Sequence, residues 1–302
     1  MSDCKVMSAA LLAGTLALGI GHAAADESVL SESTYEKRNA DFDDTVLRFL
    51  RNETPKIVGG KPAAPGEYPW QVSLVVSWIA NPNQGHFCGG TIYNSKWIVT
   101  AAHCLVRVRA ADVHVVGGTN VLMPGVHRVN VTRIIMHKNY NAGTSDEDIA
   151  LIELKSPLAL GTTMQQIGLL EPSEEPTVLV KDKVLTVTGW GATAQGAAVV
   201  RDLQEVDVPF VTREVCNDPL SYNGKITENM ICAGKAAGGV DSCQGDSGGP
   251  IVYRPSGSAP KLVGVVSWGE GCARPGKYGV YTRVARYNSW VKNCIANAAG
   301  CQ

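Results

Sequence analysis

The chain has 302 residues, 45% of them hydrophobic and 18% charged, a globular composition long enough for one large core or two small ones. Its formal net charge is −1 and it has no Lys/Arg block, so neither nucleic acid nor an anionic membrane surface is an expected partner.

At the start, Lys5, an apolar run from Ala9 to Ile20, and Ala23-Ala24-Ala25 ahead of Asp26 predict a secretory signal over residues 1–25. The run falls short of the roughly 20 apolar residues needed to cross a bilayer, so a membrane anchor is not expected. Removing the signal removes Cys4 and leaves eight of the nine cysteines. An even number in a secreted, extracellular chain predicts disulfides. Residues 26–56 hold eight acidic and five basic side chains and no cysteine or glycine, which reads as a solvated polar leader. At Thr54-Pro55-Lys56-Ile57-Val58-Gly59-Gly60 the character turns apolar and glycine-rich, and the domain boundary falls there, giving a body of 57–302.

From Ile57 onward, short β-type runs alternate with Gly, Pro and Asn: Tyr68 to Val76, Trp97 to Thr100, Val113 to Val116, Val129 to Ile135, Ile149 to Leu154, Val184 to Thr188, Leu203 to Val211, Leu262 to Trp268 and Gly279 to Val284. Such spacing predicts an all-β barrel or sandwich rather than βαβ units. Glu171 to Pro176, polar and carrying two prolines, reads as the internal linker between halves of about 57–170 and 177–285. No internal sequence repeat relates the halves. Tyr287, Trp290, Val291, Cys294, Ile295 and Ala298 recur at helical spacing, which predicts a C-terminal helix over about 286–299 with Gly300 at its stop.

The chemistry concentrates in Asp241-Ser242-Cys243-Gln244-Gly245-Asp246-Ser247-Gly248-Gly249-Pro250. Glycines there let backbone crowd a substrate carbonyl, and Ser247 is the candidate nucleophile. Gly245-Asp246-Ser247-Gly248-Gly249 also fits Gly-x-Ser-x-Gly, the α/β-hydrolase nucleophile elbow, but that fold places its histidine after the serine and the last histidine here is His137. The base therefore lies upstream. His103 is the candidate, because it follows an apolar strand and adjoins Cys104, whose disulfide would pin it; His86, His114, His127 and His137 read as ordinary surface or loop residues. The orienting carboxylate should be buried, and Asp148, leading into Ile149-Ala150-Leu151-Ile152, fits, whereas Asp146 and Glu147 read as solvated loop residues.

Together Ile57-Val58-Gly59-Gly60, Thr100-Ala101-Ala102-His103-Cys104, Asp148-Ile149-Ala150-Leu151 and Gly245 to Pro250 resemble the motifs of the chymotrypsin-fold, trypsin-like serine proteases, over Ile57 to about Asn297. The resemblance implies two six-stranded antiparallel β-barrels with a cleft between them, His103 and Asp148 coming from the first and Ser247 from the second. It implies a Ser-His-Asp acyl-enzyme mechanism with Gly245 and Ser247 as oxyanion donors. Asp241 would sit at the base of a substrate slot formed with Ser242, Ser267, Trp268, Gly269 and Gly279, so that protein or peptide substrates are cut after Lys or Arg. Cleavage between Lys56 and Ile57 would convert a zymogen, the new Ile57 amine pairing with Asp246.

The family pattern pairs Cys88–Cys104, Cys216–Cys232 and Cys243–Cys272, out of 105 pairings open to eight cysteines. Cys294 and Cys301 remain, to join each other if Gly300 breaks the helix, or to join another chain. Related trypsins bind calcium in the loop matching Gly117 to His127, which has no Asp or Glu here, so no metal and no cofactor are expected. A monomer is expected, with protein protease inhibitors as partners of the same cleft. The alternative is a non-catalytic homologue that uses the fold to bind proteins; it ordinarily loses a triad member, and all three are present. Asn52-Glu53-Thr54 and Asn130-Val131-Thr132 are sequons, meaningful only in a eukaryotic secretory pathway.

Overall fold

In the computed structural model, which describes residues 60–191, 200–239, 246–271 and 274–301, β-branched runs pair into antiparallel strands that close on themselves. A two-residue strand, β1 (Lys61–Pro62), comes first. The first barrel uses β2 (Gln71–Val76), β3 (His86–Ile92), β4 (Trp97–Thr100), β5 (Val113–Gly117), β6 (Arg128–Met136) and β7 (Ala150–Leu154), closed in the order β2-β3-β4-β7-β6-β5. After β8 (Gly168–Leu169), the second uses β9 (Val184–Gly189), β10 (Gln204–Val211), β11 (Met230–Ala233), β12 (Pro250–Tyr253), β13 (Lys261–Trp268) and β14 (Gly279–Arg283). Its order is β9-β10-β11-β14-β13-β12, with β12 pairing back to β9. Closure pairs the first and last strands of each six-stranded sheet, so neither barrel strand set presents a long free edge for edge-to-edge association.

Each barrel is filled from inside. Leu74, Ile98, Leu151 and Ile152 are fully buried in the first, and Leu185, Val187, Val208 and Tyr281 in the second. Each such side chain contributes about 1.5–3 kcal/mol through burial. The first core extends into the helix Asn288–Ala296, whose Val291 and Cys294 are buried against it. That helix ends at Ala296, short of the expected stop at Gly300, and a 3-10 turn over Ala298–Gly300 brings Cys301 back to Cys294, with a Cα–Cα distance of 5.2 Å.

Three of the site-bearing strands are absent from the sequence reading. β3 contains Gly89-Gly90, β12 starts on Pro250 after two glycines, and β11 has only four residues beside Gly234. Barrel closure decides them: β3 gains partners on both sides, and β12 does so between β9 and β13. The linker also proves to be fastened. Arg283 donates to both Glu175 oxygens at 2.7 and 2.6 Å, Lys261 bridges to Glu174 at 3.0 Å, and Lys292 to Glu171 at 3.0 Å. The bidentate guanidinium pair is the strong member of this set.

Candidate active site

His103 is carried at the end of β4. The strand passes through the buried Ala101 and Ala102 and turns into a 3-10 turn, His103–Leu105, where small side chains let the backbone pack against the core. A disulfide between Cys88 on β3 and Cys104, with Cα atoms 6.3 Å apart, ties the turn to the barrel wall. Asp148 sits two residues before β7, the antiparallel partner of β4, so the two side chains come from adjacent strand ends.

Asp148 is 1% exposed, and every hydrogen bond to its carboxylate is short. Oδ1 accepts from the His103 backbone N–H at 2.8 Å, while Oδ2 lies 2.7 Å from His103 Nδ1 and accepts from Ser267 Oγ at 2.5 Å. Burial alone would raise its pKa. The His103 charge and the hydrogen bonds from His103 and Ser267 outweigh burial and hold the carboxyl below its ordinary value. Asp148 is therefore ionised at neutral pH, and an ionised Oδ2 selects the tautomer with a proton on Nδ1. Nε2 is left as the basic nitrogen.

Ser247 arrives from the second barrel on the turn ahead of β12. Gly248 has φ +77, and a Cβ there would collide with Thr100 Oγ1 and stand 2.7 Å from the Gly89 carbonyl and 3.1 Å from Cys104 Sγ. Only glycine fits that approach. The Gly89 N–H donates to the Ser247 carbonyl at 2.7 Å, and the Gly248 N–H to Val266 O at 2.9 Å. Ser247 is thus held against the wall that carries Cys104, the neighbour of His103. Asp246 is fully buried, with Oδ1 accepting from the Gly191 N–H at 3.0 Å. Gly189 makes room for it, since a Cβ at that position would overlap the Asp246 carboxylate.

Of the expected slot residues, Ser267 and Trp268 end β13 beside Gly269, and Gly279 opens β14. The Trp268 ring meets Tyr222 edge-on, with centroids 4.9 Å apart. Asp241, Ser242, Gly245, the Cys243–Cys272 pair, Lys56 and Ile57 lie outside the described residues. Cys216 is joined to Cys232, with Cα atoms 6.5 Å apart. Cys88, His103 and Cys104 cluster closely enough to suggest a metal, but a disulfide offers no thiolate.

Several polar residues differ from the sequence reading. His86 is not a surface residue: it is fully buried, with Nδ1 2.7 Å from Ser73 Oγ. Alternation along β3 gives no hint of this, because the whole strand is buried. Asp146 and Glu147 are not simply solvated. Asp146 Oδ1 accepts from Thr227 Oγ1 at 2.6 Å and Asn229 Nδ2 at 3.1 Å, and Glu147 Oε2 lies 2.8 Å from His137 Nδ1. Burial keeps His137 below its usual value against the pull of Glu147, with its ring edge-on to Tyr287 and Trp290.

The family model described as Trypsin matches residues 57–291. Among curated relatives, transmembrane protease serine 11G of Rattus norvegicus is 39% identical over 238 residues, covering 79% of this chain and 55% of that protein. The Mus musculus protein of the same name is 38% identical over 238 residues with the same coverage. The chain thus spans about half the length of these relatives (55%). No helix among the described residues is long and apolar enough to cross a membrane. A buried aspartate on a histidine, a serine turn docked beside them from a second barrel, and these matches agree: the chain belongs to the trypsin family of serine proteases.

Proposed function

We propose that the protein is a secreted endopeptidase that cuts peptide bonds after Lys or Arg through an acyl-enzyme on Ser247. The observation that carries the reading is the surroundings of Asp148: an ionised, buried carboxylate on His103 Nδ1 supplies the one feature a surface histidine lacks, a fixed basic Nε2. In the proposed cycle Ser247 Oγ attacks the scissile carbonyl as His103 Nε2 takes its proton. The C–N bond then breaks as His103 returns the proton to the leaving amine. Water, deprotonated by His103, hydrolyses the acyl-enzyme. The Gly245 and Ser247 N–H groups hold the oxyanion, one such donor being worth about 10²- to 10³-fold in rate.

Lys/Arg selectivity is assigned to Asp241, with Ser242, Ser267, Trp268, Gly269 and Gly279 as the slot. Gly269 supports it: a Cβ there would meet nothing nearer than Gly271 O at 3.6 Å, so packing does not require glycine, whereas an open slot does. Activation is assigned to cleavage of Lys56–Ile57, with Asp246 receiving the new amine. The full burial of Asp246 suits it to hold such an amine away from water, and activity should fall at alkaline pH as that amine loses its proton. Signal removal, the absence of a resident cofactor and a monomeric state belong to the same proposal.

Labelling with an organophosphonate after cleavage at Lys56 tests the core of the reading. Adduct on Ser247, absent in Ser247→Ala, is expected; no adduct would make the chain a binding homologue. A P1 panel tests selectivity: preference for Phe or Leu, or an Asp241→Ser variant that still prefers Arg, would overturn it.

A further inference from the structure

The loop before Asp148 is held in a way that the chemistry above does not use. Ser145 (φ 53) and Glu147 (φ 58) both occupy the left-handed region, a conformation costing roughly 1–2 kcal/mol for a side-chain-bearing residue, and they flank Asp146 immediately before the orienting carboxylate. Strain of this kind persists only where the surroundings over-determine it. Here the side chains that bond the Asp146 carboxylate belong to the other barrel. Thr227 Oγ1 donates to Asp146 Oδ1 at 2.6 Å; Asn229 Nδ2 donates to Oδ1 at 3.1 Å and reaches Oδ2 at 3.3 Å.

Those donors are themselves tied down by hydrogen bonds. The Asn229 N–H donates to Thr227 Oγ1 at 3.2 Å, and the Arg283 N–H to the Asn229 carbonyl at 2.8 Å, so the pair is fixed to β14. The next residue, Met230, starts β11 opposite Thr282. Thr282 Oγ1 in turn donates to the Asp148 carbonyl at 2.5 Å. One rim of the second barrel, β11 with β14, therefore grips the loop twice, at Asp146 and two residues later at Asp148. On the first-barrel side, Asn141 N–H closes the loop on the Asp146 carbonyl at 3.0 Å, and Glu147 rests on His137.

We propose that Asp146 is a positioning residue, whose bonds to Thr227 and Asn229 across the barrel interface hold Asp148 in register with His103. The inference rests on the reading of Asp148 as the orienting group. The Asp146 carboxylate bonds Thr227 and Asn229 rather than His103. Its effect runs through the aim of a carboxylate, and a displacement of about 1 Å in such a group can cost up to about 10²-fold in rate.

The test compares Asp146→Ala with Asp146→Asn in the full chain after activation, measuring kcat, KM, the pH–rate profile and Tm. Asparagine keeps Oδ1 as the acceptor for both donors, and alanine keeps none. Asp146→Ala is expected to lower kcat about 10-fold with KM within about 2-fold. The acid limb of its rate profile should move to lower pH, because a misaimed Asp148 stabilises the imidazolium less. Asp146→Asn should recover most of the kcat. Full kcat in Asp146→Ala, a loss confined to KM, or equal impairment of both variants would overturn the inference. If Asp146→Ala does not fold, Thr227→Val combined with Asn229→Ala removes the same bonds from the other side. That pair should lower kcat similarly, and an unchanged kcat would again overturn the inference. Ser247→Ala separates the levels. If it is inactive beside a fully active Asp146→Ala, the brace alone fails; if it turns over substrate, the catalytic reading fails and takes the brace with it.

Discussion

The two barrels have the same strand number and closure but, in the proposed site, divide the work unevenly. The first offers His103 and Asp148 from adjacent strand ends, pinned by the Cys88–Cys104 disulfide and a wall of β-branched side chains. The second offers turns. Among the described residues, Gly224, Gly234, Gly238, Gly239, Gly248, Gly257, Gly271 and Gly276 of the second half have positive φ, against Gly66, Gly118 and Gly125 of the first, and Gly248 and Gly271 lie beside Ser247 and the proposed slot. A base and its orienter need fixed aim, which a barrel wall provides. A nucleophile turn and a substrate slot need backbone in unusual conformations, which glycine loops provide.

The sharpest way to break this comparison is to remove one contribution from each side. Asp148→Asn on the first barrel and Ser247→Ala on the second should each lower kcat/KM by on the order of 10⁴-fold or more, the family's figure for such changes rather than one drawn from this structure. Asp148→Asn should leave Ser247 in place. A retained rate in either variant, measured on a Lys or Arg amide substrate, would dissolve the division of labour. Next in size is the wall: Leu74→Ala, at a fully buried position, should cost about 2–5 kcal/mol of unfolding free energy in a denaturant titration. A cost below about 1 kcal/mol would mean the first barrel is less tightly packed than described.

Gly248→Ala should lose stability and activity together. It adds a Cβ against Thr100 Oγ1 and the Gly89 carbonyl at a positive φ, an expected penalty of roughly 2–4 kcal/mol. Loss of activity with an unchanged Tm would show that the turn tolerates the methyl and only its aim suffers. The smallest effect belongs to the rim of the second barrel, where Glu270 bonds Lys277 at 2.8 Å and Lys225 at 2.9 Å and is held below the ordinary carboxylate value by these hydrogen bonds. A depressed folded value means that the contribution is complete above the unfolded carboxylate range, near pH 4.3, and is lost as pH falls through the folded value. The pair is solvent-screened, so Glu270→Gln should change stability by at most about 1 kcal/mol at pH 7 and by nothing once both chains are acidified. A larger change would mark that rim as more rigid than its glycines suggest.

Much of this was legible in residues alone, for identifiable reasons. Asp148 stands out because a charge entering an apolar strand must be paired, and His103 because a cysteine fixes its neighbour. The all-β class followed from short β-branched runs, whereas β3 and β12 were hidden because their glycines and proline serve close approach to the site rather than turning the chain. Histidine 86 and the Asp146 loop were hidden for a different reason. Ser73 is 13 residues from His86, and Thr227 is 81 residues from Asp146, so local pattern carries nothing about those contacts.

The ends of the described chain are exchanged between the barrels. β1 pairs with β10 of the second barrel, while the helix after β14 buries Val291 and Cys294 in the core of the first. During synthesis the first barrel would emerge complete in strands yet lacking its lid, with that apolar patch bare until the helix Asn288–Ala296 has followed. Maturation of the first half is thereby tied to a segment made after the second barrel, and a chain truncated before Asn288 should be prone to aggregation rather than merely shorter.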